Sequence, residues 1–442
     1  MTSANVLAIS GFTMIVVFMA LIMMKRVSAL VGLILVPLLA AILLGKGLGA
    51  GGMMLDGIKE VAPTAVLLVF AIFYFGIMID AGLFQPLVTR IVRWVGNDPL
   101  RATLGLTALV AIISLDGDGT TTLLVTVVAL LPVFRRLGIN SLIFLTLGGL
   151  CGSILNMTPW GGPAARVAAV LKVSPNALFV PLLPAMAAGL AATFALAWYF
   201  GVRERRRLAG RDVETSETVT VPDDNSLVAA FESDPAALRP RLIWVNVAMT
   251  VVLMLAVILH LAPLPALFMT GTALALMINY PKLSDQRARL VNHAGNVLNT
   301  AILVLAAGAF TGVLTGTGML DAMAGSIVSG LPQALGPHLG FVTAVLASPL
   351  TFFMSNDAFY FGVLPVIAKS GQTYGISPEA IGRASLLGLQ IHGLSPLVAA
   401  VYLKCALVDV ELGDLQRFAL KYYLLITAII IAVALLTGAV PA

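Results

Sequence analysis

Between apolar runs at 100–113 and 123–134 stands the stretch Ser114-Leu115-Asp116-Gly117-Asp118-Gly119-Thr120-Thr121-Thr122. Neither run is long enough to cross a bilayer alone, which takes about 20 apolar residues. Carboxylates, glycines and hydroxyls therefore fall where hydrocarbon should be. An aspartate at the bilayer centre costs about 2.5–3.5 kcal/mol, so two of them demand compensation. Irregular backbone at that depth survives only where it is buried in protein or lines a watery cavity. A re-entrant hairpin over 100–134 with a polar tip meets both conditions. A plain helix cap needs one aspartate, not two.

The rest of the chain sets that hairpin in a membrane. Hydrophobic residues make up 59% of the 442 and charged residues 11%, more apolar surface than a soluble domain can hide. The net charge of +5 fits cytoplasmic loops, and no nucleic-acid partner is needed to explain it. Cys151 and Cys405 both lie in apolar runs and are too few for a disulfide framework. The N-terminus lacks a basic region and a small-residue cleavage site, and is expected to lead straight into a span.

Crossing helices are expected near 5–24, 27–44 and 61–81, with a glycine-rich connector at 45–57. An amphipathic helix along the interface follows at 83–97. After the hairpin, 139–171 is broken at Asn156-Met157-Thr158-Pro159-Trp160-Gly161-Gly162-Pro163, where prolines and glycines interrupt a helix outright. A span at 179–200 leads to a polar linker, 201–240. The second half repeats the order: spans near 242–261, 265–279 and 297–315, an interfacial segment at 319–335, and a hairpin at 339–368. It ends with a helix at 381–408 broken at His392-Gly393-Leu394-Ser395-Pro396, then a span at 422–437. Asp80 and Asp321, beside the interfacial segments, are expected in solvent.

Each half, 1–200 and 241–442, then crosses the membrane an odd number of times, so the second is inverted relative to the first. Charge agrees. With the N-terminus outside, the inner segments carry Lys25, Arg26, Arg135, Arg136 and the arginines at 203–207, whereas the outer ones hold little beyond Lys46, Lys59, Lys172, Lys369 and Arg383. The fold expected is an all-α polytopic membrane protein, with paired hairpins and paired broken helices in an inverted repeat. That is the pattern of a secondary transporter with a midplane site.

Four polar breaks should converge there. The first tip supplies Asp116, Asp118, Thr120 and Thr121; the second supplies Ser355, Asn356 and Asp357. The interrupted helices supply Asn156 and Thr158 from one half, His392 and Ser395 from the other. Hydroxyls and half-helix N-termini suit an anion, whereas carboxylates suit a cation or a proton. Asp116 and Asp118 are close enough to raise one another's pKa, as in proton relays. Arg166 and Lys404, in the second arms of the broken helices, could each meet a substrate carboxylate, but are read rather as snorkelling or internally paired.

At these motifs the chain resembles the citrate–metal–proton symporter family (CitMHS) of the ion transporter superfamily. The resemblance rests on LDGDGTTTL at 115–123, NMTPWGGP at 156–163, SNDAFYFGVLP at 355–365 and HGLSP at 392–396. Divalent-anion/sodium symporters of the superfamily carry Ser-Asn-Thr at both tips. Here Ser355-Asn356 matches, but Asp357 stands in place of Thr, and the first tip departs further. The resemblance implies a homodimer with a scaffold and a moving transport domain in each protomer. It also implies a citrate–metal complex as substrate, taken up with protons across the cytoplasmic membrane.

The departures are chemically coherent. Aspartates would repel free citrate, yet they offer the oxygen ligands preferred by a citrate-bound Mg²⁺ or Ca²⁺. Asp116, Asp118, Asp357 and His392 are thus candidates for metal or proton coupling, and Thr120, Thr121, Asn156, Thr158, Ser355, Asn356 and Ser395 for substrate binding. No permanently bound cofactor is called for. Two other functions compete: transport of a different di- or tricarboxylate as the free anion with H⁺ or Na⁺, and intramembrane proteolysis by an Asp118–Asp357 dyad. The doubled broken helices are unexplained by proteolysis.

Overall fold

The computed structural model describes residues 4–116, 119–209, 236–330, 332 and 334–441. Regular structure among them is entirely helical. The first half runs α1 (Ala4–Met23), α2 (Ala29–Leu43), α3 (Gly47–Asp80), α4 (Gln85–Val95), α5 (Pro99–Ile113), α6 (Gly119–Arg136), α7 (Ser141–Leu155), α8 (Gly162–Leu171) and α9 (Pro175–Leu208). The second half runs α10 (Ile243–Ile258), α11 (Leu264–Asn279), α12 (Leu283–Gly316), α13 (Met319–Gly330) and α14 (Leu339–Phe353). It continues with α15 (Leu364–Thr373), α16 (Pro378–Leu386), α17 (Leu389–His392), α18 (Ala399–Val408) and α19 (Leu412–Leu436). Local chemistry starts several of them. Ser28 caps α2, Asn140 caps α7 and Ser377 caps α16 through backbone N–H groups, while Asp98 caps α5 with Pro99 in its first turn.

The order of parts recurs between the halves, and so does the backbone where helices stop. Lys25 (φ 54°) follows α1 as His260 (φ 53°) follows α10, and Lys172 (φ 57°) follows α8 as Asp409 (φ 58°) follows α18. Left-handed backbone is uncommon for residues with side chains, so matched occurrences at equivalent helix ends are an independent mark of the repeat.

Contacts between segment ends sort into two faces. On one, Arg239 N–H donates to the Ala81 carbonyl, Arg205 pairs with Asp98, and Arg135 pairs with Asp409. On the other, Lys46 reaches the Thr317 carbonyl, Lys172 pairs with Glu60, and Lys369 with Asp321. Every pair joins segments that the charge pattern assigns to one side.

Three expectations change. The region 45–57 is not a connector, because α3 starts at Gly47 and runs 34 residues, as α12 does. Glycine costs a helix about 1 kcal/mol each, but here it admits a close helix crossing. A Cβ on Gly57 would strike the Gly308 carbonyl oxygen, and one on Gly312 would strike the Met53 carbonyl oxygen. The arginines at 203–207 lie on the last turns of α9, which continues to Leu208, and not in a loop. Asp80 is buried at 5% exposure, with Arg289 Nη1 at 3.3 Å and His293 Nε2 at 3.0 Å from its Oδ2. Its partners come from α12, so nothing near Asp80 in sequence signals them. Asp321, by contrast, is exposed.

Candidate functional site

The first hairpin turns at a single tight helical turn, Ser114–Asp116, before α6 opens at Gly119. Across the turn the buried Ser114 hydroxyl donates to Thr122 Oγ1 at 3.4 Å. Gly117 and Asp118 lie outside the described residues, as do the side chains of Asp116, Thr120 and Thr121.

The first interrupted helix is fastened to this tip. Asn156 ends α7, and the chain then turns through Met157–Gly161 before α8. A side chain at Gly161 would collide with the Asn156 carbonyl, so the turn needs glycine there. Trp160 Nε1 donates to the Leu115 carbonyl at 2.8 Å, while its ring packs on Phe75 and Phe268 at 5.4 and 5.2 Å. One residue thus satisfies a free carbonyl of the hairpin turn and anchors it to α3 and α11.

The second half solves the same problem with different residues. After α14 ends at Phe353, the Ser355 hydroxyl accepts from Ala358 N–H at 3.2 Å. A wide π-helical turn, Ala358–Val363, then leads into α15. His392 Nδ1 donates to the Thr351 carbonyl at 2.7 Å, and the Ser395 hydroxyl donates to the Phe352 carbonyl at 2.7 Å. The unpaired carbonyls of the last turn of α14 are thereby satisfied by the break at 392–396. With Nδ1 donating, the neutral His392 ring keeps Nε2 as an acceptor.

Each break also reaches the other half. Arg166 on α8 donates from Nε to Asp357 Oδ1 at 2.7 Å, and the side chains are 23% and 19% exposed, deep enough to strengthen the pair. Both charges are within electrostatic reach of His392, and Arg166 also of the buried Tyr360. On the other side α18 packs against α6.

Between these parts lies a cavity of about 310 Å³. Ser114, Thr122 and Thr126 line it from the first hairpin, Ser153 and Asn156 from α7, Asn356 from the second tip, His392 from α17 and Lys404 from α18. Among the described residues no carboxylate lines it, and no group of three or more His, Cys, Asp or Glu assembles into a metal site.

Of the residues singled out in the sequence, Asn156, Asn356 and His392 are brought together on this cavity. Among the described residues the buried Thr158 hydroxyl and Asn356 Oδ1 have no hydrogen-bond partner, and of the two Asn356 lines the cavity. Ser355 and Ser395 are occupied in shaping the tips and do not line the cavity. Asp357 is held by Arg166, the internal pairing anticipated for that arginine. Lys404, for its part, faces the cavity. Ser153 was missed, although a signal existed: Gly148, Gly149, Gly152, Ser153 and Asn156 recur at helical spacing and form the cavity face of α7. Gln390, next to that lining in sequence, is fully buried with neither side-chain polar atom partnered among the described residues.

Hairpins and interrupted helices gathered about a cavity with mainly apolar walls and a few converging polar groups, in a chain of long apolar helices, define a multi-pass membrane transporter. The solved structures agree at the level of fold. The Alcanivorax borkumensis YdaH transporter matches with a TM-score of 0.53 at 12% identity, covering 89% of each chain. Neisseria gonorrhoeae MtrF, described as one of a class of antimetabolite efflux pumps, matches with a TM-score of 0.61 at 14% identity, over 88% of this chain and 84% of that one. Sequence is more particular. The profile of the CitMHS family, described as citrate transporter, matches residues 8–388. A Bacillus subtilis (strain 168) protein named "Citrate transporter" is 49% identical over 435 residues, covering 98% of this chain and 99% of the relative. Another from that strain, named "Mg(2+)/citrate complex secondary transporter", is 42% identical over the same coverage. The chain belongs to the citrate transporter family; it is a transporter and not a protease.

Proposed function

We propose that the protein takes up citrate as a complex with a divalent metal, Mg²⁺ or Ca²⁺, together with protons, across the cytoplasmic membrane. The observation that carries this reading is the cavity where both tips and both breaks converge, whose mostly apolar wall is set with amides, hydroxyls, an imidazole and an ammonium. That lining suits an anion of low net charge, and a citrate complex with a divalent cation carries one net negative charge. The relative named for the Mg²⁺/citrate complex supports the same substrate.

In this reading Asn156 and Asn356 donate to substrate oxygens from opposite halves. Ser355 and Ser395 hold the second tip in register, Thr158 offers its hydroxyl to substrate, and Thr120 and Thr121 follow the first tip. Asp116 and Asp118 ligate the travelling metal or carry protons, while Asp357 and His392 couple protons beside Arg166. Residues 1–200 and 241–442 are inverted repeats joined by a cytoplasmic linker at 201–240, supported by the pairing of segment ends into two faces. The working unit is a homodimer whose hairpins and broken helices move against a scaffold.

The test is uptake of labelled citrate into proteoliposomes with each divalent metal in turn and with a chelator. Uptake that needs the metal and responds to an imposed pH gradient is the expected result. Uptake indifferent to chelation and driven by Na⁺ would replace this reading with transport of a free carboxylate.

A further inference from the structure

Two basic residues occupy the second arms of the interrupted helices, and their circumstances differ. Arg166 is committed to Asp357. Lys404 lies on α18, one position out of register with Arg166 when the left-handed ends Lys172 and Asp409 are superimposed. It lines the cavity, is partly buried, and has no carboxylate partner among the described residues.

A cation at membrane depth is costly unless paired or solvated in a cavity. Lys404 shares this lining with Thr122, Asn156 and Asn356, whose hydroxyl and amide groups can donate hydrogen bonds to an anion. We infer that Lys404 receives the citrate carboxylate left free by the metal, and so makes the carrier prefer an anionic complex to a neutral one. The inference deepens the metal–citrate reading and rests on it. A hydroxydicarboxylate that chelates the same metal forms a neutral complex with nothing for Lys404 to hold. The ammonium therefore discriminates between substrates by charge, whereas the amides and hydroxyls bind both.

The test uses the full-length purified protein. Lys404→Met keeps the length and removes the charge, and Lys404→Arg keeps the charge. With Mg²⁺ present, Lys404→Met should weaken citrate binding by about 10- to 100-fold, the range for losing one charge-assisted hydrogen bond. Binding of the hydroxydicarboxylate should change by less than about threefold on the same scale, and Lys404→Arg should recover part of the citrate affinity. Without ligand, Lys404→Met should melt no lower than the wild type, because an ammonium that awaits substrate stabilises nothing in the empty carrier. Wild-type citrate affinity in Lys404→Met overturns the inference. So does a variant that melts lower or fails to fold, since Lys404 would then be an internal counter-ion. The metal reading is separated by wild-type citrate binding with a chelator. If that binding is unchanged the metal reading falls, while the Lys404→Met contrast still reports the carboxylate contact.

Discussion

Breaking the Arg166–Asp357 pair tests how far the site depends on contact between the halves. The atoms are 2.7 Å apart, which corresponds to about 1.5 kcal/mol of attraction in water and about 6 kcal/mol at an effective dielectric of about 20. Exposures of 23% and 19% place the pair between those limits, and desolvation of both ions removes much of the gain. A net coupling of about 2–3 kcal/mol remains. Asp357→Asn alone should cost about that much, because Arg166 keeps its charge with no carboxylate to face. The double variant Arg166→Met/Asp357→Asn should recover most of the loss, since neither charge is left, and Arg166→Met alone completes the cycle. Apparent stability in detergent across the four proteins gives the coupling by a double-mutant cycle, and citrate uptake by each gives the functional cost. A coupling below about 0.5 kcal/mol, with Asp357→Asn as stable as the wild type, would refute the reasoning and leave the contact incidental.

Other outcomes follow from single features. Asn356→Ala should raise the KM for citrate about tenfold, the loss of one substrate hydrogen bond, with the fold intact; an unchanged KM would take Asn356 out of the site. Gly57→Val should prevent α3 from closing on the Gly308 carbonyl and abolish folded protein, whereas Gly51→Ala, with open space about it, should purify like the wild type. At the α5 cap, burial opposes the Asp98 carboxylate, but hydrogen bonds from Arg205 and the Leu100 N–H, with the charges of Arg205 and Arg101, hold its pKa below the usual range. That contribution is present above the unfolded value of about 3.9 and fades as pH falls through the lower folded value. Asp98→Asn should therefore melt lower than the wild type at neutral pH, with the gap closing in acid. Cysteines at Ser216 and Gln372 should react with an impermeant reagent from opposite sides of the membrane; same-side labelling would end the inverted topology.

Features that the sequence made legible were those that violate the hydrocarbon around them. Aspartate beside glycine at 116–119, and proline beside glycine at 159–163 and 393–396, cannot continue a lipid-exposed helix, so both tips and both breaks stood out. The 34-residue lengths of α3 and α12 did not. Their first turns are glycine-rich in one and polar in the other, yet both are helical, and the close crossing of the two helices comes further along, where Gly57 meets Gly308 and Gly312. Asp80 with Arg289 and Asp357 with Arg166 join residues about two hundred positions apart, a distance that no periodicity reports. The cavity face of α7 was readable as a small-residue stripe, but its meaning depends on α18 standing opposite.

The same contacts explain why neither half can act alone. Each break satisfies the carbonyls of its own hairpin, Trp160 on Leu115 and His392 with Ser395 on Thr351 and Phe352. These local locks fix each tip relative to its broken helix. The cavity, however, is bounded by α5, α6 and α7 on one side and by α17, α18 and Asn356 on the other. Contacts between the halves hold that gap at a set width, among them α7 against α17 and α18, α6 against α18, and α8 against the second tip through Arg166 and Asp357. A ligand held by Asn156 and Asn356 would add a further tie across that junction, where Arg166, Asp357 and Lys404 are the charges that stand.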